Sequence, residues 1–325
     1  MKNIQTIIKS LPNIYKYQGA GNDFIIMDNR NGEIGLSKEE ICLLCDRHYG
    51  IGSDGILLLE NPSKGTSNDF KMVFYNPDGS TGMMCGNGGR CICFFAKELD
   101  IKSHDNTYIF EGPDTIHAGT LCNDNVKLSM TDVSKIKDMN NNISVKEILL
   151  GEQTPSNVLI TEEERNKQEL IMNKSSFFPY LPESYLEKLY FLNTGTNHLV
   201  VIAKEINDLD VKALGGKLRY DSQFAPEGAN VNFVEIINDD HIFVRSYEKG
   251  VEDETYACGT GIVASAIASY ISKINKESKE ITKHYFINTV KEELEVEFTA
   301  SQTKQGPVIN KVYLTGPVKK LFEIK

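Results

Sequence analysis

Two cysteines in this chain each stand directly before a glycine-X-glycine step, Cys85-Gly-Asn-Gly and Cys258-Gly-Thr-Gly, and each step opens an apolar stretch. Glycine allows a tight turn and close approach of a ligand to the backbone. If a helix begins there, the amides of Gly86 and Asn87, and of Gly259 and Thr260, have no partner within it. Such amides donate to an anion, and the helix dipole favours negative charge at the same place. The same field favours thiolate over thiol, drawing a cysteine pKa from about 8.5 toward neutrality. A lone cysteine in this setting is more often a buried structural thiol; two at equivalent positions read as a working pair.

Two facing turns of this kind would form a carboxylate clamp with a sulfur on each side. That arrangement suits inversion at the α-carbon of an amino acid. A weakly acidic proton leaves one face and another returns to the opposite face, so two bases are needed. Without a cofactor as electron sink, the developing charge spreads into the α-carboxylate, where the helix-end amides stabilise it. A phosphate loop is the rival reading of residues 85–90. The Walker pattern is absent, however, and the dinucleotide pattern expects a strand-helix-strand unit, whereas a turn intervenes here.

The surrounding elements repeat. Phe24-Ile-Ile-Met27 reads as a strand, followed by a helix with a Ser37/Glu40 capping box and Ile41, Leu44, Cys45 and His48 at helical spacing, closed by Gly50. Strands are predicted over 55–60 and 69–75, and the turn Asn76-Pro-Asp-Gly79 then leads to Cys85. The second half follows the same plan about 173 residues on, a duplication signal. Arg219 with the strand 231–236 answers Arg47 with its strand, and Asn197-His-Leu-Val answers Asp23-Phe-Ile-Ile. The stretches after the cysteines (Cys91 to Phe95, Ile262 to Ile267) are apolar all round, which predicts helices buried inside their domains. Residues 135–184 are polar and Asn-rich and read as an insertion with flexible sections.

The 325 residues suffice for two domains, with 40% hydrophobic and 25% charged residues, a globular composition. No apolar run approaches the roughly 20 residues of a membrane span, and no secretion signal opens the chain, so a cytoplasmic location is expected. The net charge is −10 and no basic stripe occurs, which argues against nucleic acid. Seven cysteines in a reducing compartment are core filler, metal ligands or catalysts. Cys42-X-X-Cys45 has no second ligand pair to complete a metal site and reads as core, as do Cys91 and Cys93. No metal site is read.

The segments Gln18-Gly-Ala-Gly-Asn-Asp-Phe24, Arg47-His-Tyr-Gly-Ile-Gly-Ser-Asp54, Met84-Cys-Gly-Asn-Gly-Gly-Arg-Cys91, Ala225-Pro-Glu-Gly-Ala-Asn-Val-Asn-Phe233 and Glu254-Thr-Tyr-Ala-Cys-Gly-Thr-Gly261 resemble the diaminopimelate epimerase family, in that family's order. The paired Cys-Gly blocks alone are shared with proline and hydroxyproline racemases. The resemblance implies an α+β fold of two similar domains, each a barrel-like mixed or antiparallel sheet around a central helix. It implies a division into 12–132 plus 312–325, and 133–311, with a substrate cleft between the domains, a homodimer and no cofactor. It further implies Cys85 and Cys258 as the acid/base pair, with His198 and Glu248 assisting. Gly86, Asn87, Gly259 and Thr260 would hold the reacting carboxylate; Asn22, Asn76, Asn230, Glu248, Lys249 and Thr196 fall at substrate-binding positions.

Two positions depart from the family pattern. Lys249 stands where Arg is usual, keeping the charge but losing the bidentate fork. Gly195-Thr-Asn-His198 replaces a Gly-Asn-Pro-His or Gly-X-Pro-His motif, placing Thr196 where a ligand residue is expected. Both touch substrate recognition rather than the cysteines. The expected reaction is therefore interconversion of LL- and meso-diaminopimelate. The alternatives are a cofactor-independent racemase of the proline, hydroxyproline or histidine type, or a non-catalytic anion- or metal-binding protein. A PhzF-like isomerase would lack the paired thiols.

Overall fold

The structure is a computed structural model that describes residues 3–82, 84–133, 135–150, 180–274, 280–303 and 306–325. The chain forms two compact units, one of residues 1–131, 291–297 and 311–325, the other of 132–290 and 298–310. Residues 291–297 belong to the first unit.

The first unit opens with helix α1 (Ile4–Ser10) and strands β1 (Ile14–Gly19) and β2 (Asn22–Asp28). Helix α2 (Lys38–Cys45), β3 (Ile56–Glu60), β4 (Phe70–Tyr75) and α3 (Gly86–Glu98) follow, then β5 (Thr107–Glu111), β6 (Ile116–Cys122) and β7 (Asn125–Ser129). Antiparallel β1–β2 is followed by parallel β2–β3, antiparallel β3–β4, parallel β4–β5, and the antiparallel run β5–β6–β7.

Both faces of β2 and β3 are covered, which explains their unbroken apolar sequences. Alternate residues Phe24, Ile26, Leu57 and Leu59 pack with Ile92 and Phe95 of α3. Their neighbours Ile25, Met27, Ile56 and Leu58 pack with Ile7 of α1 and Ile41 and Leu44 of α2. Helix α3 touches β1, β2, β3, β6 and β7, so the strands wrap it as the apolar sequence predicts.

Helix α2 carries both halves of its capping box but stops at Cys45 rather than running to Gly50. The Asp46 side chain accepts from the amides of His48 (2.7 Å) and Tyr49 (2.8 Å), diverting the chain into a turn. His48 is therefore off the helix and exposed.

The second unit contains β8 (Ile136–Asp138), helix α4 (Ile143–Leu150), β9 (Leu186–Asn193), β10 (Asn197–Ala203) and α5 (Val211–Arg219). After these come β11 (Asn230–Ile236), β12 (His241–Glu248), β13 (Asp253–Thr255), α6 (Gly259–Lys273) and β14 (Ile281–Asn288). The closing strands are β15 (Glu293–Thr303), β16 (Gly306–Pro317) and β17 (Lys319–Ile324), of which β17 and the end of β16 lie in the first unit against β1 and β7.

The pairing repeats that of the first unit: antiparallel β9–β10, parallel β10–β11, antiparallel β11–β12, parallel β12–β14. Leu199, Val201, Val231 and Phe233 face the core with α4 and α5. The alternate positions therefore face the opposite side, where α6 packs on β9, β10, β11, β12 and β14. Of the polar stretch 135–184, residues 151–179 lie outside the described residues. Its start is built in: β8 pairs with β9, and Val145 and Leu149, one helical turn apart, enter the core.

Candidate functional site

Each cysteine caps the N-terminus of its unit's wrapped helix. Cys85 precedes α3 with φ −110° and ψ 118°, and Cys258 precedes α6 with φ −89° and ψ 108°, so both hold extended backbone immediately before the first turn. Their carbonyls accept the first helical bonds, from Gly89 N and Ile262 N, each at 2.8 Å. Cys258 is buried and Cys85 half-buried. Cys45, Cys91 and Cys93 are buried and behave as packing, while Cys42 is half-buried and Cys122 exposed. Cys91 and Cys93 are fully buried on α3, which pushes their pKa values up, and burial raises that of Cys45 to about 11.

In the first unit, polar side chains lead from the Cys85 turn into β2. Asn87 is buried; its Nδ2 donates to Asn22 Oδ1 at 2.6 Å, and its Oδ1 accepts from Arg90 Nη2 at 2.8 Å. Asn22 Nδ2 donates in turn to Asp54 Oδ2 at 2.9 Å. Asp54 is paired with Arg47 at 2.5 Å, which also binds Asp23 at 2.7 Å, while Asp23 meets the buried Lys16 at 2.6 Å. Hydrogen bonds from Arg47 and Lys16 outweigh partial burial and hold the Asp23 carboxyl below its ordinary value. Asn22 is thereby tied to Asn87, two residues after Cys85. Asn76 instead bonds within its own turn, to Ser80 Oγ at 3.0 Å.

In the second unit, Cys258 Sγ lies 3.6 Å from Thr260 Oγ1, which lies 3.0 Å from His198 Nε2. Thr196 Oγ1 is also 3.0 Å from that nitrogen and accepts from Asn230 Nδ2 at 3.1 Å. On the other side of the ring, His198 Nδ1 is 3.0 Å from Asn232 Nδ2, and Ser246 Oγ donates to Asn232 Oδ1 at 2.9 Å. His198 is fully buried, and burial lowers its pKa from 6.5 to about 3, so the ring is neutral. Thr194 Oγ1 fixes the helix start from outside, donating to Thr260 O at 2.9 Å.

Lys249 donates its amide to Asn230 Oδ1 at 2.8 Å and its ammonium to Glu227 O at 2.7 Å. Thr255 Oγ1 donates to Glu248 Oε1. The structure thus connects Thr196, His198, Asn230, Lys249, Gly259 and Thr260 to the Cys258 turn by a bonded chain or by sequence.

Asp54, Asn232, Ser246 and Glu227 are additions to the sequence reading. Asn232 had a signal: it sits two residues after Asn230 on a strand, so both face the α6 side. Asp54 closes the quoted segment that begins at Arg47, its partner, while Ser246 meets Asn232 only through strand pairing and had no signal.

A sequence profile of the family described as diaminopimelate epimerase matches residues 14–136 and 190–321. The chain is 36% identical over 314 residues to the diaminopimelate epimerase of Flavobacterium psychrophilum, covering 95% of this chain and 98% of that one. It is 34% identical over 320 residues to that of Aquifex aeolicus, with 95% of each covered. Among solved structures, a PhzF-family phenazine biosynthesis protein from Bacillus anthracis superposes with a TM-score of 0.62 at 14% identity, over 96% of this chain and 97% of that one. A probable proline racemase from Agrobacterium radiobacter, with bound carbonate, gives a TM-score of 0.55 at 13% identity, over 96% and 92%. These two share its fold.

Proposed function

Because the chain belongs to the diaminopimelate epimerase family, we propose that it interconverts LL- and meso-diaminopimelate by proton transfer at one α-carbon, for lysine or peptidoglycan synthesis. It is an isomerase of the pyridoxal-independent type. The observation that carries the mechanism is the duplicated cap, in which each unit presents one cysteine at the N-terminus of its buried central helix.

Cys85 and Cys258 are the two proton-transfer residues: one abstracts as thiolate, the other donates as thiol. The first-turn amides at Gly86 and Asn87, and at Gly259 and Thr260, take the charge that builds on the carboxylate. Asn22, Asn76, Thr196, Asn230 and Lys249 bind the remainder of the substrate, and His198 and Glu248 assist the reacting end. The reading includes no cofactor and no metal, a homodimer, a cytoplasmic location, and no nucleic-acid or membrane partner. Among the described residues no helix is long and apolar enough to cross a membrane.

The test is proton NMR of LL-diaminopimelate with reduced enzyme in deuterated water, beside Cys85→Ala and Cys258→Ala. Loss of the α-proton signal with growth of the meso isomer, abolished in both variants, supports the reading. Absence of exchange with the wild type rejects the substrate, and a panel of proline, hydroxyproline and histidine then separates the racemase alternatives.

A further inference from the structure

The Cys258 turn is backed by a wholly buried polar chain that the fold does not require. His198 and Asn232 are both fully buried and Ser246 nearly so. At the matching places of the first unit, Phe24 on β2 and Leu57 on β3 are apolar and pack against α3. The match follows from the parallel registers, where Ile26 pairs with Leu57 and Val200 with Asn232. It follows also from the helices. A Cβ on Gly88, three residues after Cys85, would lie 3.5 Å from Leu57; one on Gly261, three residues after Cys258, would run into Asn232 Oδ1. One unit is thus stable with hydrocarbon where the other holds an amide and an imidazole. Burying polar groups is unfavourable unless each is satisfied, so packing does not account for these.

The orientation of the chain follows from its ends. Asn232 Oδ1 lies against Gly261, in the first turn of α6, where amide hydrogens lack helical partners and the dipole is positive. It also receives the Ser246 hydroxyl at 2.9 Å. The oxygen belongs on that side, so the amide NH2 faces His198 Nδ1 at 3.0 Å. An NH2 group only donates, hence Nδ1 carries no proton and, in a neutral ring, Nε2 carries it. Nε2–H then donates to the hydroxyls of Thr196 and Thr260, each 3.0 Å away. Thr196 Oγ1 accepts from Asn230 as well. Thr260 Oγ1 is also 3.4 Å from Thr196 Oγ1; Thr196 already accepts from both Asn230 and His198 and so donates there, which leaves Thr260 to direct its own hydroxyl proton at Cys258 Sγ, 3.6 Å away.

We propose that Asn232, braced by Ser246, is a positioning residue that locks His198 as a neutral Nε2–H donor, so that Thr260 presents a hydrogen bond to the Cys258 sulfur. His198 therefore serves as a fixed donor and not as a base that takes protons from substrate. The consequence for catalysis rests on the assignment of Cys258 as a proton-transfer residue; the tautomer itself does not.

The test reads the tautomer without substrate, so its outcome is independent of the epimerase assignment. In protein labelled with nitrogen-15 histidine, His198 is identified by its loss in His198→Gln. Expected are a pyridine-type Nδ1 and a pyrrole-type Nε2, unchanged through the region near about pH 6.5 where exposed histidines titrate. In Asn232→Asp the carboxylate can only accept, and the proton moves to Nδ1. A pyrrole-type Nδ1 in the wild type, or an unmoved proton in folded Asn232→Asp, overturns the proposal. The wild-type spectrum decides even where the variant does not fold. As a second readout, alkylation of Cys258 by iodoacetamide, quantified by peptide mass spectrometry, should need a higher pH in Thr260→Val, with the Cys85 profile unmoved. Coincident Cys258 profiles would remove the Thr260 step.

Discussion

Asn87 Nδ2 donates to Asn22 Oδ1 at 2.6 Å, joining the first turn of α3 to the start of β2 across 65 residues of sequence. The same side chain accepts from Arg90, a fully buried guanidinium. Asn87 is thus both the residue after the first glycine of the Cys85 turn and the bracket that holds that turn against the sheet.

Asn87→Ala removes one partner from Arg90 and one from Asn22. An orphaned buried group costs about 1–3 kcal/mol, and half-buried Asn22 recovers part of its loss from water. The expected total is about 2–3 kcal/mol, a fall in Tm of roughly 5–10 °C for a domain of this size. Calorimetry of the reduced protein checks it; an unchanged Tm would show that the bracket contributes nothing.

His198 links stability to pH. Its folded pKa, about 3, lies below the unfolded value of 6.5. Between those values the unfolded chain binds a proton that the native chain does not. Its contribution is therefore complete above about pH 6.5 and is lost as pH falls toward 3, at roughly 1.4 kcal/mol per unit. Urea midpoints at pH 7 and pH 5 should fall further in the wild type than in His198→Gln, by about 1–2 kcal/mol. Parallel falls would mean that the buried ring takes up its proton without difficulty.

Gly261→Ala places a methyl group against Asn232 Oδ1, at the back of the Cys258 turn. Neither the helix nor the amide can yield without breaking the contacts to His198 and Ser246. Overpacking of this kind costs about 1–3 kcal/mol, and turnover should fall at least tenfold with it. Gly35→Ala, where an added methyl meets nothing within 4 Å, is the control and should leave both Tm and rate unaltered.

Lys249 directs its ammonium at the Glu227 carbonyl, and an incoming carboxylate would have to win it from there. A hydrogen bond to a charged group is worth about 1.5–3 kcal/mol, so Lys249→Met should raise KM for diaminopimelate by roughly 10–150-fold while kcat changes less. Lys249→Arg should restore a forked contact and keep KM near or below the wild-type value. A loss confined to kcat in Lys249→Met would place the residue outside substrate binding.

Much of this architecture is legible along the chain because it is local. A cysteine before Gly-X-Gly and an apolar run announces a buried helix with a cysteine cap, and both α3 and α6 have that form. The capping box of α2 is equally local, involving residues three apart. The end of α2 was misread because the competing signal lay in one side chain: Asp46 captures two amides, while apolar spacing alone carries the helix on to His48.

By itself, the sequence determined the duplicated plan, the two cysteine caps and the reaction class, because these depend on residue type and short spacing. Tertiary structure alone decided what stands behind each cap. Parallel pairing of β10 with β11 brings Asn232 to His198 across 34 residues, and β12 brings Ser246 to Asn232, while in the first unit the same places fill with Phe24 and Leu57. No local period encodes that difference. It arises from which strand lies beside which, and from the requirement that every polar group buried there finds a partner.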